Sequence, residues 1–166
     1  MTIMFITATP KAASALLAMT LVAGIALPQA GMAAPAAGIR GTDIAIAAFK
    51  DVCLRSAPSF ASALTKAKRY GVKETTKLGD SNIGMTSDDS ISVQVKLKRE
   101  CAVTSPNRSN PTLHAQFLRT IAEFADAPPQ GNKAGVPFTG TIQGHRFVFM
   151  HDRKGGEAYV MISLEK

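Results

Sequence analysis

The stretch Ile91-Ser-Val-Gln-Val-Lys-Leu-Lys-Arg-Glu-Cys101-Ala-Val-Thr104 alternates with a period of two. Ile91, Val93, Val95 and Leu97 stand against Ser92, Gln94, Lys96 and Lys98, the pattern of a strand with one buried and one wet face. Cys101 and Val103 keep the odd parity of the buried set, with Arg99 as an interruption. A cysteine on the buried face of a strand is either a buried free thiol or is placed to meet a second cysteine from whatever packs on that face.

The chain upstream supplies one. Thr42 reads as a helix N-cap with Asp43 in the first turn, and Ile46, Phe49, Val52 and Cys53 fall on one helical stripe. A second helix follows Pro58, carries Phe60, Leu64 and Ala67, and ends at Gly71. Residues 72–90 are polar and read as a loop or weak strand. Ser109-Asn110-Pro111 starts a third helix with Leu113, Phe117, Ile121 and Phe124 on one side. After a long loop, Thr139–Ile142, Arg146–Met150 and Ala158–Leu164 read as strands. The expected fold is α+β: an antiparallel sheet of about four strands with helices packed on one face and a disulfide joining helix to sheet.

The first forty residues read differently. Ala12–Leu27 is an apolar Ala/Leu/Val run, short for a bilayer span but suited to the core of a signal peptide. Pro28 breaks it, and Gly31-Met32-Ala33 places small residues for cleavage after Ala33. Residues 1–33 are therefore expected to be a signal peptide, 34–41 a flexible tail, and 42–166 a single domain. Retention of the segment as an anchor is the alternative; after cleavage no stable membrane span is expected. Periplasmic or secreted localisation follows. In such a compartment an even pair of cysteines, here Cys53 and Cys101, reads as a disulfide before a redox or metal site.

Composition bounds the rest. The chain has 166 residues, 46% of them hydrophobic and 19% charged, which is too apolar for a disordered tail. Its formal charge is +7, and only one charged residue, Lys11, lies in 1–33, so the remainder carries +6. The Phe49-Lys-Asp-Val-Cys53-Leu segment, paired with Cys101-Ala-Val-Thr104, resembles small exported proteins of unknown function from Gram-negative bacteria. That resemblance covers roughly residues 46–124. It implies a periplasmic disulfide domain and no activity.

Three features could carry chemistry. Gly79-Asp80-Ser81-Asn82 is similar to the start of the nucleophile block of the GDSL hydrolases, but the polar Glu74–Lys77 precedes it where a buried strand is needed. A turn is the plainer reading. Among the histidines, His145 and His151 share strand parity yet stand about 20 Å apart, too far to ligate one ion, and His114 flanks an apolar helical stripe. Each reads as a helix-flank or rim histidine; no catalytic residue, metal site or cofactor is expected. The third feature is charge. Lys66, Lys68, Arg69, Lys73 and Lys77 fall within twelve residues, and Lys96 and Lys98 share the wet face of the alternating strand. If that face lies near the end of the second helix, they form one anion-binding patch. Nucleic acid is disfavoured because Tyr70 is the lone aromatic in the run.

The functional expectation is an exported, non-enzymatic interaction domain that engages an anionic envelope component or an acidic protein partner. The alternative is a small periplasmic hydrolase using a Ser/His pair.

Overall fold

A computed structural model describes residues 42–106, 110–130, 133–152 and 157–166. The expected signal peptide and tail, and Ser109 of the expected helix start, lie outside the described residues.

Among the described residues, seven strands form one antiparallel sheet in the order β1-β2-β3-β4-β7-β6-β5. They are β1 Glu74–Leu78, β2 Ser81–Met85, β3 Ser92–Lys96, β4 Glu100–Ser105, β5 Phe138–Ile142, β6 His145–Asp152 and β7 Ala158–Leu164. The expectation of about four strands is overturned: the described residues are mostly sheet, with three short α-helices among them.

Two local causes account for the difference. The run from Ile91 to Thr104 is two strands folded on each other, with Lys96 opposite Glu100 and Val95 opposite Cys101. Leu97-Lys98-Arg99 is the turn between them, and Lys98 takes the left-handed conformation (φ 55°) that closes such three-residue loops. A turn of odd length pairs odd positions with odd positions, so the hydrophobic parity runs through it unbroken. Leu97, expected on the buried face, sits in this turn and is 55% exposed.

The second cause lies in the segment read as a loop or weak strand, which holds the β1–β2 hairpin. Leu78 pairs with Ser81, leaving Gly79-Asp80 as a two-residue turn with Gly79 at φ 60°. β1 is an edge strand exposed at every position, so nothing in its sequence needs to alternate.

One face of the sheet is the core. Val95, Cys101, Ile162 and Phe149 stand side by side across β3, β4, β7 and β6, and Val93, Val103, Val160 and His151 form the next row. All eight are buried. The helices cover this face. α1 (Ile44–Ala48) continues through a π turn, Phe49–Cys53, and a 3-10 turn, Leu54–Ser56. Asp43 rather than Thr42 caps it, its carboxylate accepting the Ala45 N–H at 2.9 Å. α2 (Ala63–Ala67) runs into a 3-10 turn, Lys68–Tyr70, that ends at a left-handed Gly71. α3 (Leu113–Ala122) turns Leu113, Phe117 and Ile121 inward, and Phe117 meets Phe49 with ring centroids 5.3 Å apart.

The Cys53–Cys101 disulfide joins the π turn to β4 with Cα atoms 5.4 Å apart. Its position follows from the two parities: Cys53 shares the buried stripe of the first helical segment, and Cys101 shares the buried row of the sheet. Among the described residues, no helix is long and apolar enough to cross a membrane.

Candidate anion-binding cleft

The β1–β2 and β3–β4 turns lie at the same end of the sheet. β1 and β3 both run antiparallel to β2, and Lys77, Asn82 and Val95 are neighbours across the three strands. One residue further toward the turns come Leu78 on β1 and Lys96 on β3. Between the two turns lies a cleft of about 460 Å³ lined by Lys77, Gly79, Asp80, Asn82, Lys96, Leu97 and Arg99. That volume would hold a phosphate-sized group with several waters, each taking roughly 30 Å³.

Its charges are unevenly used. Arg99 pairs with Asp80 at 3.0 Å, and Lys96 lies 3.8 Å from Glu100. Arg99–Asp80 is an exposed pair of the kind worth little, and the half-buried Lys96–Glu100 pair is long, so each cation can turn toward an incoming anion at small cost. Lys77 and Lys98 have no ion pair among the described residues. The Lys98 backbone N–H donates to the Ser59 carbonyl at 2.9 Å, which ties the β3–β4 turn to the segment before α2 and fixes its place in the fold.

Of the seven basic residues expected to bind anions, Lys77 and Lys96 line the cleft, and Lys98 stands in the turn between Leu97 and Arg99. The remaining four are elsewhere. α2 starts near the turns, through Ser59, and runs away from them until Gly71 reaches Thr86, beside the β2–β3 turn at the other end of the sheet. Lys68, Arg69 and Lys73 are exposed around that far end. Lys66 is occupied by the fold: its ammonium donates to the Arg55 carbonyl at 2.6 Å. Burial, and then the charge of Arg55, lower its pKa. The basic residues therefore form two groups at opposite ends of β2 rather than one patch.

Arg99 and Asp80 are the charged cleft residues that sequence reasoning did not assign to the site. Their signal was the interruption at Arg99: once it is read as a hairpin turn, the residue lands beside the turn that follows Leu78.

Ser81 does not head a nucleophile block. It opens β2 directly after the hairpin turn, and its hydroxyl is engaged by the Gln94 side-chain amide at 3.3 Å and, more weakly, by Asp80 at 3.4 Å. The histidines also depart from expectation. His145 is exposed, but His151 is 1% exposed and sits in the core, not on a rim. There His114 of α3 meets it, Nδ1 to Nδ1 at 3.3 Å, among Phe117, Phe138 and Phe149. Burial lowers the pKa of His114. Among the described residues no group of three or more His, Cys, Asp or Glu is arranged to hold a metal ion.

No protein-family model, curated protein or solved structure matches the chain.

Proposed function

We propose that the chain is an exported, non-enzymatic binding domain that holds phosphate-like or carboxylate groups of an envelope component or acidic partner in the cleft at its hairpin turns. The observation that carries this reading is the convergence of Lys77, Lys96 and Arg99, from two strands and a turn, on one cleft. Export is supported by the apolar Ala12–Leu27 run and by the Cys53–Cys101 disulfide, which fits an oxidising compartment.

Calorimetric titration of the protein with sodium tripolyphosphate tests the reading. Binding is expected at low salt, weakening as added salt screens the site. Substituting Lys77→Glu together with Lys96→Glu is expected to weaken it by roughly tenfold or more, since each cation near an anionic surface contributes about 1 kcal/mol. Absent binding, or binding indifferent to both substitutions, overturns the proposal.

A further inference from the structure

Among the described residues five large apolar side chains are markedly exposed: Ile44, Leu78, Met85, Leu97 and Val136. Scattered exposed apolar residues are ordinary on a protein surface. Leu78 and Leu97 are not scattered. Leu78, 67% exposed, ends β1 at its turn, and Leu97, 55% exposed, opens the turn after β3. Both stand at the same end of the sheet, Leu78 at the end of β1 and Leu97 just past the end of β3, with only β2 between, so the strand spacing places them on the order of 10 Å apart.

Neither leucine is needed by the turn it occupies. The β1–β2 turn is made by Gly79 and Asp80, and the β3–β4 turn by the left-handed Lys98. Cations surround both: Lys77 precedes Leu78, Lys96 and Lys98 flank Leu97, and Arg99 follows. The nearby carboxylates are Asp80 and Glu100, each already facing one of those cations. An acidic soluble protein would be served by the cations alone. Protruding apolar side chains ringed by Lys and Arg fit a surface that is anionic outside and hydrocarbon a few ångströms within. Lysine and arginine stems are long enough to stay at headgroup level while the leucines go deeper.

We infer that the two hairpin turns dock on an anionic lipid bilayer, with Leu78 and Leu97 entering the interface and Lys77, Lys96, Lys98 and Arg99 contacting lipid phosphates. The inference rests on the proposed anion-binding cleft and names its partner. Headgroup attraction brings the turns to the surface and apolar burial holds them there, so binding responds both to salt and to the leucines.

The test uses vesicles of phosphatidylcholine alone and vesicles containing phosphatidylglycerol, with parent and variant of the same length, so that residues 1–41 contribute equally. Leu78→Thr keeps a strand-forming residue at an exposed edge position and lies outside the cleft. It is expected to reduce sedimentation with phosphatidylglycerol vesicles roughly tenfold, the value of burying one leucine, and to leave tripolyphosphate binding unchanged. The chain contains no Trp. The indole of Leu97→Trp is therefore a sole reporter, and its emission is expected to shift to the blue with phosphatidylglycerol vesicles but not with phosphatidylcholine. If Leu78→Thr sediments as the parent does and the indole emission stays at its aqueous position, bilayer docking is overturned while tripolyphosphate binding keeps the cleft. Retention on immobilised poly-glutamate without vesicle binding overturns it in favour of an acidic protein partner. A parent that fails to bind tripolyphosphate removes the cleft and this inference together.

Discussion

At Gly84 a single hydrogen atom decides how helix and sheet fit. A Cβ there would stand 2.5 Å from Val72 Cγ1, 3.1 Å from Thr75 Cγ2 and 3.2 Å from the Glu74 carbonyl oxygen. Val72 is buried and joins the end of α2 to β1, so it has little room to retreat. Gly84→Ala is expected to destabilise the protein by about 1–3 kcal/mol, the usual cost of overpacking a core. A lower urea midpoint at unchanged slope would show it. His114 makes a second residue-scale prediction. Its Nδ1 and that of His151 share one hydrogen bond, in which one nitrogen donates and the other accepts. Two protonated rings cannot make that bond. The His114 Nε2 is buried with no hydrogen-bond partner among the described residues, so a charge on the ring is poorly solvated. Burial accordingly lowers its folded pKa below the ordinary value. The unfolded chain then binds more protons, so stability rises with pH and is lost as the solution is acidified. The contribution is complete above about pH 6.5, the unfolded value, and is lost as pH falls through the folded one. Thermal melts between pH 7 and pH 5 should show this decline, and His114→Phe should make it shallower. An equal decline in the variant would refute the assignment.

Among the elements, the disulfide ties the first helical segment to β4, closing a loop with a sequence separation of 48. In the chain-entropy treatment a loop of that length is worth about 4 kcal/mol. The Cys53→Ala, Cys101→Ala double variant should therefore lose about that much in urea unfolding, and alkylation of the unreduced parent should find no free thiol. This contact was legible because it rests on two buried faces, each marked by its own periodicity. The number of strands was not. Parity could count buried positions along 91–104 but could not see a three-residue turn that preserves parity. The hairpin of β1 and β2 was invisible for the opposite reason. Glu-Thr-Thr-Lys-Leu is exposed throughout, and β2 places Gly84 where the buried row would otherwise show a large apolar residue. Hydrophobic patterning reports burial, and an edge strand that buries nothing leaves no pattern. The same blind spot hid the cleft, since both turns that line it belong to these two hairpins.

Over the whole molecule, net charge says less than where the charge sits. The formal +7 includes two basic groups that the linear sequence runs together: Lys77, Lys96, Lys98 and Arg99 at the hairpin turns, and Lys68, Arg69 and Lys73 at the far end. Lys73 and Lys77 lie at either end of β1, about 13 Å apart at the rise of a strand. That separation exceeds the Debye length of about 8 Å at physiological ionic strength and is well inside the roughly 30 Å at 0.01 M. Substituting Lys68, Arg69 and Lys73 together by Ala should therefore leave tripolyphosphate binding at 0.15 M salt within about twofold of the parent, while weakening it visibly at 0.01 M. Replacing Lys77 and Lys96 by Ala should weaken it at both, because those side chains line the cleft. The two groups act as one field in dilute buffer and as a local site under physiological salt. An equal loss from both variants at 0.15 M would mean that the anion is held by overall charge rather than by the cleft.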